Sequence, residues 1–195
     1  MSTRTRLRSE RGQSIVEMAM ILPILCLVVL GVVELSWAML DQHVVTKLTR
    51  EGSNLISRDA TLGDAAVAMS KMATRPIDFT QNSAVIFSVI KRVPTTGAPN
   101  YNKDILYARY SFGAISATSQ LATRGSGVFG SAPDYEAKNS DTDTNLQITN
   151  LPPGLMTTAG SMLYVTEVYT NHTLITPLDR FGITLPTTLS SIAFF

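Results

Sequence analysis

Gly12-Gln-Ser-Ile-Val-Glu17-Met-Ala-Met-Ile-Leu-Pro23, running on through Cys26, Gly31 and Glu34 to Trp37-Ala-Met-Leu40, is the stretch that decides the architecture of this 195-residue chain. Arg4, Arg6, Arg8 and Arg11 precede it. No charge occurs from Met18 to Val33. A helix over those residues rises about 24 Å, somewhat short of a hydrocarbon core of roughly 30 Å, whereas one from Ile15 to Leu40 rises about 39 Å, which is ample. A buried core helix is the competing reading. Hydrophobicity on every face over such a length suits lipid better than the edge of a globule of this size, so the sequence predicts a single membrane-spanning helix over residues 13–40, in contact with a lipid bilayer.

The flanks predict its orientation. Four arginines lie on the amino side, while beyond Leu40 the first basic residues, Lys47 and Arg50, are balanced by Asp41 and Glu51. The positive-inside rule keeps the amino terminus cytoplasmic and puts the rest outside, in the periplasm or beyond, on an inner-membrane anchor. Trp37 sits where an interfacial aromatic belongs, and Glu34 is expected at the outer membrane boundary. Pro23 is expected to kink the helix at most, and Cys26, within the span, to act as a small hydrophobe. With no other cysteine, the exported domain is held by its core without an intrachain disulfide.

Glu17 needs a reason, because a carboxylate costs up to about 2.5–3.5 kcal/mol if carried to mid-bilayer and less at the edge. One reading is an interfacial group hydrated among the headgroups. The other comes from its neighbours: Gly12 closes a basic leader, residues 1–12, and Glu17 is the fifth residue after it. That arrangement resembles the class III signal of type IV pilin-like proteins. The resemblance implies that a prepilin peptidase cuts between Gly12 and Gln13, where a side-chain-free residue lets the backbone enter extended. The new ammonium on Gln13 would then have Glu17, on the same or a neighbouring subunit, as its partner in lipid.

Ser-Ile-Val-Glu-Met-Ala-Met-Ile-Leu-Pro from Ser14 to Pro23, Gly31, Val33-Glu34 and Arg50-Glu-Gly52 resemble the TadE-like family, the pseudopilins or minor pilins of tight-adherence (Tad/Flp) pili. The resemblance covers residues 11–60 and, more weakly, Met162–Phe181, whose Leu-Tyr-Val-Thr-Glu-Val-Tyr is similar to the family's final strand. Met18 stands where the family more often has an aromatic. The family implies a role in pilus assembly, by priming, capping or initiation, with the peptidase, other pilins and minor pilins, and the inner-membrane assembly platform as partners. The alternative is an uncleaved single-pass protein whose envelope-facing domain binds a ligand or protein.

The formal net charge of +1 conceals +3 in residues 1–12, which leaves −2 for the remainder, so there is no basic field of the kind that binds nucleic acid. A secretory signal peptide would have a shorter apolar run closed by a small-residue cleavage motif, which is not present here.

Beyond the anchor, Val44, Val45, Leu48, Leu55 and Ile56 recur at helical spacing. Thr61 with Asp64 predicts the start of a second helix bearing Leu62, Ala65, Ala66, Met69 and Met72 on one face. Residues 41–75 are thus expected to form an amphipathic helical extension, ended by Arg75-Pro76. In residues 76–195, Ala84–Val93, Ile105–Phe112 and Met162–Thr170 predict strands, the first of them central because both its faces are apolar. The expected fold is α+β, with helix on an antiparallel sheet of about three strands. Residues 116–160, rich in Gly, Pro and Asp, are expected to be a long loop, either a functional surface or a mobile insert.

Motifs for chemistry are weak. Gly125-Ser-Gly-Val-Phe-Gly130 has a dinucleotide spacing but is followed by Ser131-Ala-Pro133, and Asn150 stands where an acid is needed. Asp141-Thr-Asp143-Thr-Asn145 begins like a calcium loop, yet Leu146 and Pro152 replace its glycine and glutamate. His43 and His172 lack a nucleophile, and zinc spacing is missing. Asn171-His-Thr173 fits a glycosylation sequon by pattern only. The sequence therefore predicts no enzyme, no cofactor and no metal.

Overall fold

The computed structural model describes residues 7–183 and 186–195, with side chains from Gly12 onward except those of Leu178 and Phe181. Met1–Arg6 of the expected leader lie outside the described residues. The chain forms two compact units, residues 1–40 with 173–187, and residues 41–172 with 188–195. Helix α1, Leu7–Ile56, contributes to both, and Pro23 lies inside it without ending it.

In the larger unit the periodicity of α1 has its physical counterpart. Asp41, Val45, Leu48, Gly52 and Ile56 are buried along one face, while His43, Lys47, Arg50 and Glu51 face water. Helix α2, Leu62–Met72, begins as its sequence predicts: the Thr61 hydroxyl accepts the Asp64 N–H at 3.1 Å and donates to the Asp64 carboxylate at 2.9 Å. One of the helix's orphan donors is satisfied there. Leu62, Ala65, Ala66 and Met69 bury its apolar face. Gly52 lets α1 approach closely: a Cβ there would lie 2.6 Å from Met69 Sδ and 2.8 Å from Thr166 Cγ2.

Four antiparallel strands, β1 (Ser83–Arg92), β2 (Asp104–Gly113), β3 (Met162–Asn171) and β4 (Thr188–Phe194), pair in the order β2-β1-β3-β4. The fold is α+β, as expected. β1 is internal, with Ser83–Ile90 wholly buried, as its two apolar faces predict. About three strands were expected and four are present. Thr-Leu-Ser-Ser-Ile-Ala-Phe is rich in small and hydroxyl residues, so its composition signals a strand weakly. It is held by its ladder to β3, by a Gln42 amide donating to the Ser190 carbonyl at 3.0 Å, and by a Ser53 hydroxyl donating to the Ala193 carbonyl at 3.0 Å.

Val85, Phe87 and Val89 of β1, with Val168 of β3, pack against Val45, Leu48, Ala65 and Met69 of the helices. Full burial of a side chain such as Phe87 contributes about 1.5–3 kcal/mol. The opposite face of the sheet is covered by the long segment between β2 and β3. Leu121 and Met156 pack on Ile90, Leu163 and Val165, and Leu146 packs on Val93 and Ile105. The same segment lines the outer edge of β2, where Tyr107 O accepts the Ala137 N–H at 2.6 Å and Asp104 O accepts the Ile148 N–H at 2.9 Å. Residues 116–160 are thus a packed second layer that also covers an edge otherwise open to pairing. Their periodicity is irregular because bridges and turns, not a helix or strand, carry their apolar side chains to the sheet.

Candidate functional site

In the smaller unit, α1 carries the residues singled out for processing and assembly. The Gly12–Gln13 bond lies within the helix, and a Cβ at Gly12 would have no heavy atom within 4 Å. Gln13 donates its side-chain amide to Glu17 Oε1 at 3.0 Å, one turn on. Helical spacing brings residues four apart onto one face, so the two side chains are neighbours on the exposed surface. Around them Ile15, Val16, Met18, Met20, Ile21 and Leu22 are exposed. Cys26 is exposed too, on the same apolar helix.

Glu34, expected at the outer membrane boundary, has its carboxylate held by protein. It is fully buried, with 0 % exposure. Its carboxylate accepts the Thr176 hydroxyl at 2.5 Å, the Thr176 N–H at 2.8 Å and the Ile175 N–H at 3.2 Å. Charge-assisted bonds of this kind replace hydration of the carboxylate. Glu34 lies on the stripe Leu27, Leu30, Gly31, Glu34, Trp37 and Ala38, which is less exposed than the other faces of this part of the helix. Nothing local in the sequence pairs Glu34 with Thr176, although a lone carboxylate ending an apolar run does signal that a partner is needed.

The larger unit holds two further polar sites. His172 Nδ1 lies 2.8 Å from Asp41 Oδ2, with both side chains buried. Under the second layer, Glu167, fully buried, accepts the Ser119 hydroxyl at 2.5 Å and the Gln120 N–H at 2.7 Å, while Arg109 donates to Ser88, Ser119 and the Leu121 carbonyl. Burial pulls the Arg109 guanidinium below its ordinary pKa, opposed by Glu167 and Tyr169. Burial, reinforced by Glu167, pushes the Tyr169 phenol up to about 12. These groups satisfy one another and fasten residues 118–121 to the sheet, a structural role.

The weak motifs take structural roles as well. Gly125–Gly130 is irregular chain that follows the bridge Thr123↔Ile148 and contains Phe129, which bridges to Ala137. Asp141 accepts the Thr95 hydroxyl at 2.7 Å, and Asp143 accepts the Asn145 N–H at 3.0 Å, capping a short 3-10 turn, Thr144–Leu146. Among the described residues no three His, Cys, Asp or Glu side chains are grouped to hold a metal ion. His43 is exposed on α1.

An exposed apolar helix leading into an α+β fold marks the chain as a candidate single-pass membrane protein, with one candidate span, by length and composition, among the described residues. Residues 12–54 match the family model described as TadE-like protein. The matched residues coincide with the candidate span and the first part of the larger unit. Comparison with curated proteins and with solved structures gave no match.

Proposed function

We propose that this chain is a minor pilin that takes part in assembling a tight-adherence pilus, by priming, capping or initiation, after a prepilin peptidase removes residues 1–12. The coincidence of the TadE-like match over residues 12–54 with an apolar helix whose large side chains from Ile15 to Leu25 are exposed carries this reading. Such a surface is stable only against lipid or against other helices, so one face serves first as anchor and then as packing interface when the subunit is drawn from the inner membrane into contact with other pilins. The arginines keep the amino terminus cytoplasmic and the α+β domain on the far side. Glu17 guides the step between the two environments by pairing with the ammonium of Gln13, whose side chain already shares its face.

Intact mass and amino-terminal sequencing of the protein purified from membranes test the proposal. A start at Gln13 that disappears when the peptidase is deleted is the expected result. A chain retaining Met1 or Ser2 in piliated cells overturns processing and favours an uncleaved single-pass binding protein.

A further inference from the structure

Thr173–Thr187 belongs to the same compact unit as the apolar part of α1, and the tie between them is polar. The N–H groups of Ile175 and Thr176 both end on Glu34, so this turn of irregular backbone has donors already satisfied by protein. Irregular chain is costly near lipid mainly because of unsatisfied backbone groups, and that cost is reduced here. The carboxylate is likewise relieved of its need for water. The apolar surface of α1 does not stop at it: Leu35, Met39 and Leu40 beyond Glu34 are all exposed. Ile175, at 47 % exposure, adjoins that surface through its bond to Glu34, and Ile183, at 41 %, belongs to the same unit. Pro177, also exposed, brings no N–H to satisfy. Exposed Asp179 and Arg180 offset each other's charge and suit headgroups better than hydrocarbon.

We infer that Thr173–Ile183 is a second membrane-contacting element, seated at headgroup level in the leaflet facing the folded domain and tied to the anchor helix through Glu34. The inference rests on the reading of α1 as a membrane span. Lipid is the occupant that the geometry favours, because Ile175 continues an apolar surface that the bilayer already covers. The carboxylate at position 34 then has a purpose distinct from that of Glu17: it holds a segment in place and lets the lipid-facing helix surface run on to Leu40.

Single cysteines in a Cys26→Ser background, at Ile175, Ile183, Leu25 and exposed Lys138, are labelled with an environment-sensitive fluorophore on the full chain. The protein is placed in phosphatidylethanolamine and phosphatidylglycerol vesicles bearing spin-labelled lipids, and iodide serves as the aqueous quencher. Ile175→Cys and Ile183→Cys are expected to be quenched several-fold more than Lys138→Cys by a spin label high on the acyl chain, and several-fold less by iodide. Adding Glu34→Ala is expected to abolish that lipid quenching while Leu25→Cys keeps its own from a deep label. Iodide quenching equal to that of Lys138→Cys, or protection from both quenchers as under a second copy or another subunit, overturns the inference. Loss of deep quenching at Leu25 instead overturns the membrane span itself, so the two failures are distinguishable. Should Glu34→Ala fail to insert, the measurements with Glu34 intact decide the matter.

Discussion

His172 Nδ1 meets Asp41 Oδ2 at 2.8 Å across 131 positions of sequence, joining the residue that follows β3 to the first residue that α1 contributes to the larger unit. Both side chains are buried, so neither can exchange its partner for water. Asp41→Ala is expected to lower stability by about 1–3 kcal/mol, the cost of leaving a buried polar group without its bond. Chemical denaturation of the reconstituted chain measures it. In a double-mutant cycle with His172→Ala, the two losses are expected to be less than additive; full additivity would mean that the pair is not coupled.

Gly52 is expected to resist even one added methyl group. In an exposed helix interior, Gly to Ala gains up to about 1 kcal/mol, but here the new Cβ enters the space of Met69 and Thr166. Overpacking of about 1–3 kcal/mol outweighs that gain, so Gly52→Ala lowers the melting temperature. Because the Met69 thioether is flexible, Gly52→Ala with Met69→Ala is expected to lose less than the sum of the two single changes.

Tyr169 makes the domain sensitive to alkali. Its phenol donates to the Thr118 carbonyl at 3.0 Å, and burial together with Glu167 raises its pKa from 10.0 to about 12. The folded state therefore holds this proton more tightly than the unfolded chain does. The resulting stability is present in full below the unfolded pKa and is lost as pH rises from 10.0 to about 12. Thermal melts across that range are expected to fall less steeply for Tyr169→Phe; an unchanged slope would assign the alkaline loss to other groups.

Glu17→Ala is expected to leave membrane insertion intact, because it removes a charge from the edge of an apolar run. If the chain is processed as proposed, pilus assembly is expected to fall, since the amine that cleavage would create at Gln13 loses its carboxylate. Alkaline extraction of membranes reads the first effect and pilus counts by electron microscopy the second. Wild-type pilus numbers in this variant would remove the assembly role from Glu17.

The sequence alone determined the long apolar helix, the helix cap and the central strand. In each, the deciding interactions lie within one element: unbroken hydrophobicity from Met18 to Val33, Thr61 with Asp64, and two apolar faces on Ala84–Val93. The spacing of Gly12, Gln13 and Glu17 was likewise legible, and helical geometry adds only that Gln13 and Glu17 share a face. Tertiary structure decided the rest. β4 is a strand because β3, Gln42 and Ser53 make it one, and residues 116–160 are a covering layer because Leu121, Leu146 and Met156 find the sheet. Glu34 is satisfied by Thr176 from 142 positions away. Local pattern records which side of an element avoids water, but which polar groups meet depends on where the folded backbone returns, and that is a property of the whole topology.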